Sequence, residues 1–486
     1  MSQDTPTTDG RPRGSTAVEL DSAYDYEKPF SENRKEGPRV ELDPAPDEVF
    51  ALDARRELLG FPVGYPIGVP ASPLTASAVW IKALADQGFN VLTYKTVRDA
   101  PDGRPAFPPP NWIFVEELDE PLSPDSALAA IRVVGGSQTR PRDARAFSMA
   151  NSFGIPSPPT AEWQSDVREA LRFLRAGQVL IVSVAGNYEE LRGQELVDDF
   201  VRVALHAETA LGASPDRAAA IELNLSCPNT VSREGRGARP ICENADDTYR
   251  IVNAVRGALA PATKLVIKLS FLERGRLAPV VEAVASHVDA IAGINTVQVS
   301  VKRPEGGPAF RGTLTDPDAE RPAGLSGVAI RDLALDFVRS LAYLRRKREW
   351  DFDIIGIGGV MEPHDVRALM ASGADAVQTA TAAANNAQFP RVLWGDGHPE
   401  PTWEERLLQL VTAALEDPRW AFRTLEGLAR DLRVGPDQVA DLLHQHPEVA
   451  RRSAMTDREG RALYTTPDRR ISMRERLERA RWILAH

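Results

Sequence analysis

Cysteine is nearly absent: the 486-residue chain has two, Cys227 and Cys242. Two thiols cannot build a disulfide scaffold, a four-thiolate metal site or an iron–sulfur cluster, and such sparse use fits a reducing cytoplasm. Lysine is scarce as well, with eight lysines among 58 basic residues, so a lysine at a strand end is a marked choice in this chain. No apolar run reaches the ~18 residues that a membrane span needs. The opening MSQDTPTTDGRPRGST lacks the apolar stretch of a secretory signal. Positive charge is not in surplus: a net charge of −11 argues against a whole-chain nucleic-acid binder. No G-x-G-x-x-G joins a strand to a helix, so no dinucleotide site is expected, and no metal site is expected either.

What remains is a soluble globular composition, 43% hydrophobic and 26% charged, on a chain long enough for two or three domains. Residues 1–45 are polar and rich in Pro and Gly, and read as a surface arm. Within 46–398, short apolar segments alternate with amphipathic ones. The expected strands are 65–72, 89–96, 179–186, 221–227, 264–270, 294–301, 353–359 and 376–382. Near-continuous apolar strands separated by helices predict a parallel α/β sheet closed into a (β/α)8 TIM barrel, with a doubly wound sheet as the alternative. Two long irregular stretches, 98–160 and 302–324, follow strand ends and read as lids or binding loops. Residues 399–486 differ again: three helical segments and a hairpin turned at Arg458-Glu459-Gly460 resemble a small winged-helix-like domain.

Three constellations carry chemistry. IIGIGGV (354–360) ends a strand in glycines, and VQTATAAANN (377–386) places Thr379 and Thr381 at the next strand end. Glycine lets backbone approach a ligand closely, and the last two strands of a barrel commonly form a phosphate site. Plain turn glycines are the competing explanation. In IELNLSCPNT (221–230), Cys227 stands at a strand end between Asn224 and Asn229. Carboxamides donate and accept together, which suits a flat ring carrying C=O and N–H groups. A thiol whose ordinary pKa is ~8.5 can exchange a proton near neutrality. Taken alone, Cys227 reads more readily as a small buried hydrophobe. Asn151 in NSFGIP and Asn295 beside Thr296 in GINT also fall at strand or loop ends, and Cys242 is expected to be structural. Lys95 in TYKT and Lys268 in VIKLS sit at strand ends, where a buried ammonium needs an anion or a polarised carbonyl.

YKT, NSFGIP, ELNLSCPN, VIKLS, GINT, GLSGVAIRDLAL and IIGIGGV, in this order over about 60–390, resemble the class 1 dihydroorotate dehydrogenases and the pyrimidine-reducing domain of dihydropyrimidine dehydrogenases. The resemblance implies an FMN-binding barrel that acts on the C5–C6 bond of a dihydropyrimidine. It makes Cys227 the catalytic base and gives the substrate ring to Asn151, Asn224, Asn229, Asn295 and Thr296. The backbone at Phe153 and Gly154 would meet a carboxylate. Toward FMN it implies Lys268 at the flavin and Lys95 near both flavin and substrate, with Ala71, Ser72, Ser183, Ser326, Gly327, Gly358, Gly359, Ala380 and Thr381 around the cofactor. Ser72 and Ala380 depart from the family, where many relatives have glycine. NSFGIP leans toward dihydroorotate over uracil-like pyrimidines. The electron acceptor is expected to be a soluble small molecule or a redox partner protein, without a membrane. The family also suggests a homodimer in the cytoplasm. A flavin-binding sensor acting through its tail is the alternative. The expected recognition helix GPDQVADLLHQH has Asp437 and Asp441 and no Lys or Arg, which speaks against nucleic acid as a partner.

Overall fold

Val179–Val184 reads VLIVSV and is buried at every position. A strand that is dry on both faces must be covered on both sides, as happens between a barrel's interior and its ring of helices. The computed structural model describes residues 22–50, 56–118, 122, 132–137, 148–212, 218–226, 240–303, 306–395, 403–416, 420–432, 434–447, 449–457, 459–467, 469–473 and 475–476. Eight parallel strands close into a barrel: Ile67–Val69, Val91–Val97, Val179–Val184, Ala219–Asn224, Lys264–Leu269, Ala290–Gly293, Asp353–Ile357 and Ala376–Gln378. The seam pairs Gln378 with Gly68. Gly68 has a steric reason to be glycine, since a Cβ there would lie 1.7 Å from the Val91 carbonyl oxygen.

The surrounding helices form on clear local signals. Helix Ala245–Ala258 is capped by Asn244, whose side chain accepts from the amides of Asp246 and Asp247. Those acids in the first turn and Arg256 in the last complement the helix dipole. Helix Gly193–Leu211 buries Leu196, Phe200, Val203, Ala207 and Leu211, the stripe that a 3.6-residue period produces.

A hairpin of Glu57–Leu58 and Phe61–Pro62 stops the amino-terminal end of the barrel. Leu58, Leu59 and Val63 pack there against Val91, Val179, Ile181, Val266 and Ile355. Each such side chain contributes roughly 1.5–3 kcal/mol by leaving water. The Leu59 amide donates to Asp353 Oδ2 at 2.6 Å, which ties the plug to the seventh barrel strand.

Two expectations need correction. Residues 294–301 were expected to form a barrel strand, but Ala290–Gly293 takes that place and Val297–Lys302 leaves the barrel. The stretches 98–160 and 302–324 are not simply irregular. Trp112–Leu118, Arg132–Ser137, Ser148–Asn151, Val297–Lys302 and Ala323–Gly327 form a second, five-stranded closed sheet, antiparallel except where Val297–Lys302 meets Arg132–Ser137. The sequence hid this sheet because its strands pair across long separations and its polar, glycine-rich edges read as loop.

The described part of the N-terminal arm lies on the barrel: Ser22 Oγ donates to the Ala384 carbonyl at 2.8 Å, and Tyr24 is buried. In the tail, helices Trp403–Glu416, Leu425–Leu432 and Pro436–Gln445 precede an antiparallel pair, Arg451–Thr456 with Ala462–Thr465. These elements share a core of their own around Leu407, Val411, Leu428, Val439 and Leu442.

Burial first, and then nearby Asp375, push the Asp353 carboxyl up to about 6, against the Leu59 amide and Arg345, which lower it. An unfolded aspartate titrates near ~3.9. The unfolded chain therefore loses this proton first, and ionisation progressively costs the folded state as pH rises from about 4 to about 6. Asp353→Asn should gain stability over the native chain by up to about 2 kcal/mol at neutral pH, and by much less near pH 4. Urea midpoints at the two pH values check this, and equal differences at both would remove Asp353 as the source.

Candidate active site

Helices dry the outside of the barrel, so any polar residue on a strand is directed inward. Ile221, Leu223 and Leu225 belong to the outer core, while Ala220 belongs to the inner one. The period of two then turns Glu222 and Asn224 inward. The same alternation places Ser183 after Val179 and Ile181, Lys268 after Val266, and Lys95 two positions beyond Thr93 and four beyond Val91. The carboxyl ends of these strands thus form a polar layer above an apolar one.

Above this layer lies a cleft of about 890 Å³, open solvent at its mouth included. Its walls include Ala71, Ser72, Lys95, Asn151, Phe153, Gly154, Asn224, Lys268, Asn295, Thr296, Ser326, Gly327, Gly358, Gly359, Ala380 and Thr381. All of these were expected from sequence. Ser183 was expected too but sits one layer down, fully buried, with its Oγ 3.0 Å from Thr96 Oγ1; Thr96 lines the cleft in its place. Cys227 and Asn229 lie outside the described residues.

A chain of side-chain hydrogen bonds orients the amides. Asn224 Nδ2 donates to Thr96 Oγ1 at 3.0 Å. Asn295 Nδ2 donates to Ser226 Oγ at 3.1 Å and to Asn224 Oδ1 at 3.3 Å. Asn295 Oδ1 in turn accepts from the Thr296 amide at 2.8 Å. With each amide oriented by a neighbour, the site presents fixed donors and acceptors. Lys268 is 3% exposed and Lys95 is partly buried. Glu222 is fully buried beside them: burial raises its carboxyl above the ordinary range, while Lys268, Ser183 and Lys95 lower it.

The glycine side of the cleft is held from outside. Gly358 and Gly359 adopt φ of 127° and 72°. Arg331 Nε bonds the Gly359 carbonyl at 3.3 Å and pairs with Asp365 Oδ1 at 2.9 Å. Asp365 Oδ2 accepts from the Met361 and Glu362 amides, both at 2.9 Å. Thr379 Oγ1 donates to the Val360 carbonyl at 2.8 Å, and Thr381 Oγ1 to Ser326 Oγ at 3.1 Å.

The opposite wall comes from the small sheet. Asn151 ends one of its strands and donates to the Gly324 carbonyl at 3.0 Å. Phe153 packs edge-on against Trp112 and Phe30, with ring centroids 5.3 and 5.8 Å away. The Ser152 carbonyl accepts from Asn111 Nδ2 at 3.0 Å and from Arg321 at 3.3 Å. Arg321 is 1% exposed, bonds the Pro110 carbonyl at 3.1 Å and lies over the rings of Phe107 and Phe310. Burial draws its guanidinium down to about 10. Carbonyls and aromatic faces thus stand in for a carboxylate in holding loop 151–154. The Phe153 and Gly154 amides have no protein acceptor among the described residues.

Sequence reasoning missed Trp112, Glu222, Arg321 and Arg331. Trp112 and Arg321 gave no local signal, because both act across the small sheet. Glu222 did give one, as the inward partner of Asn224 in a strand whose other face is apolar.

These residues fit a flavin mononucleotide in their chemistry: two lysines and a row of carboxamides on one side, and glycine backbone with hydroxyls on the other. Fold and cleft define an α/β-barrel enzyme whose chemistry lies at the carboxyl ends of its strands. The chain belongs to the dihydroorotate dehydrogenase family, a family of oxidoreductases acting on a CH–CH bond: the family profile described as "Dihydroorotate dehydrogenase" matches residues 136–393. A "Dihydroorotate dehydrogenase" of Dictyostelium discoideum is 29% identical over 365 residues, 74% of this chain and 92% of that protein. A "Dihydroorotate dehydrogenase B (NAD(+)), catalytic subunit" of Staphylococcus carnosus is 31% identical over 257 residues, 52% of this chain and 71% of its own length. The protein of the same name from Methanocaldococcus jannaschii is 29% identical over 235 residues, 47% and 64% of the two chains.

A Cβ on Gly359 would lie 2.4 Å from Arg331 Cα, at a φ that L-residues rarely adopt. Gly359→Ala should therefore cost roughly 2–4 kcal/mol of stability. It should also open the loop that Arg331 and Asp365 hold. A thermal melt within about 1 °C of the native chain would show that this contact does not constrain the loop.

Proposed function

We propose that the protein oxidises dihydroorotate to orotate, with FMN bound in the cleft. The observation that carries this reading is the convergence of sixteen of the expected residues, from seven barrel strand ends and the small sheet, on one cleft. Bound FMN supplies the hydride acceptor at its N5 position. Gly327, Gly358, Gly359 and Thr381 hold its phosphate and ribityl chain, with Ala71, Ser72, Ser326 and Ala380 alongside. Lys268, with Lys95, faces the electron-rich edge of the flavin ring and favours negative charge there. Asn151, Asn224, Asn229 and Asn295 clamp the pyrimidine with Thr296, and the Phe153 and Gly154 amides receive its carboxylate. Cys227 takes the proton from C5 as hydride leaves C6. That carboxylate contact favours dihydroorotate over uracil-like dihydropyrimidines. The electrons pass on to a soluble acceptor or a redox partner protein, and the setting is cytoplasmic. No helix among the described residues is long and apolar enough to cross a membrane.

Anaerobic addition of dihydroorotate should bleach the bound flavin, while dihydrouracil and dihydrothymine should not. Bleaching by none of the three would favour a flavin-binding sensor instead. Cys227→Ser should slow bleaching by roughly 100-fold or more and leave FMN bound. Unchanged bleaching in that variant would take the thiol out of the reaction.

We propose further that the chain divides into an arm, 1–45, the barrel unit, 46–398, and a winged-helix-like module, 399–486, that serves packing or protein contact rather than DNA reading. Two arginines of its hairpin are paired: Arg451 with Glu475 at 2.5 Å and Arg461 with Asp457 at 2.7 Å. Neutralised arginines offer little to a phosphate backbone. The full-length protein should give no gel shift with duplex DNA at low salt, and a salt-sensitive shift would reverse this assignment.

A further inference from the structure

Glu222 lies inside the barrel, one layer beneath the cleft, at 0% exposure. Among the described residues neither of its carboxyl oxygens has a hydrogen-bond partner of normal geometry, and the nearest hydroxyl is that of Ser183 beside it. Its neighbours across the sheet are Ser183 on one side and Val266 on the other. The charged groups that face it are Lys268 and Lys95. Among the described residues, other inward positions of the barrel carry no charge: Gln378 Nε2 donates to Thr93 Oγ1 at 2.9 Å, and strand Ala290–Gly293 has no titratable side chain. Asp353 and Lys264 stand at the opposite ends of their strands, bonded to the Leu59 amide and to Asp289.

An ionised carboxylate without hydrogen bonds in a dry interior persists only in the field of nearby cations. Here that field comes from the two lysines that line the cleft. Negative charge placed against those lysines cancels the field and leaves the carboxylate uncompensated. We infer that Glu222 is a proton acceptor coupled to the charge of the cleft: it takes up one proton when an anion or added electrons arrive at Lys95 and Lys268, and releases it when they leave. The barrel interior thereby keeps a constant net charge. The proton comes from solvent and forms an O–H bond on the carboxylate, and no electrons reach Glu222. A route is present, because Thr96 lines the cleft, its hydroxyl is 3.0 Å from that of Ser183, and Ser183 stands beside Glu222.

This inference rests on the proposed flavin and orotate site, and its test separates the two. In the FMN-loaded full chain, orotate binding is titrated calorimetrically near neutral pH in two buffers of different ionisation heat. The native protein should take up roughly one proton per orotate, and Glu222→Gln close to none. Reduced-minus-oxidised infrared spectra of the same material, without orotate, should gain a protonated-carboxyl C=O band that Glu222→Gln lacks. The first measurement reports an anionic ligand in the cleft that Lys95 lines, and the second reports charge on the flavin. Proton uptake that is absent in the native chain, or unchanged in Glu222→Gln, overturns the coupling and leaves the proposed function standing. If Glu222→Gln does not fold, absence of both signals in the native protein is still decisive. A chain that retains neither FMN nor orotate defeats the proposed function, and this coupling with it.

Discussion

A closed parallel barrel wrapped in helices leaves polar strand residues only one place to go. The outer face of every strand is dry, so the side chains that chemistry needs must point inward and toward one end. Lys95, Asn224 and Lys268 reach the cleft for this reason, and Glu222 is confined below it for the same reason. The other end of the barrel is stopped by Leu58, Leu59 and Val63. Water is thereby kept to the mouth, and charges placed there interact more strongly than they would on an open surface.

The site has two walls of different origin. The barrel supplies the lysines, the carboxamides and the glycine loop on short, rigid strand ends. The wall that carries Asn151, Phe153 and Gly154 is an insertion, a small sheet assembled from segments before and after four of the barrel strands. That wall is braced by distant residues: Phe30 from the N-terminal arm, Trp112, and the buried Arg321. A division of this kind lets the substrate side vary while the cofactor side stays with the barrel.

Buried charge is handled differently at three places. Arg98, fully buried, meets Glu189 through two bonds of 2.5 and 2.6 Å, a bidentate pair that compensates its own desolvation. Arg321 has carbonyls and aromatic rings instead of an acid. Glu222 has neither, and is compensated by the lysines' field with the Ser183 hydroxyl beside it. The first two arrangements draw on partners that belong to the fold itself. The third depends on what occupies the cleft, which makes Glu222 the buried group best placed to respond to it.

Much of the barrel was legible in the chain. VLIVSV and IELNLS declare strands dry on their outer face, and their period of two already separates Ile221, Leu223 and Leu225 from Glu222, Asn224 and Ser226. Seven of the eight barrel strands overlap the expected segments, and the sixth was displaced by a few residues because AIAG is short and its successor, VQVSV, is the stronger β-former. Motif residues such as Lys95, Asn295 and Gly358 were readable because strand ends bring chemistry to one face whatever the loops do. The small sheet was not readable, since its register pairs Trp112 with Asn151 and Gly324 with Asn151, partners separated by tens to hundreds of residues. Sequence by itself determined local period, strand ends and the residue types at them, because these follow from interactions over a few neighbours. Only the tertiary structure decided that Ser183 stops one layer short, that Arg321 braces the loop at Ser152, and that Glu222 shares an interior with two lysines. Those outcomes depend on which distant segments close around the same volume.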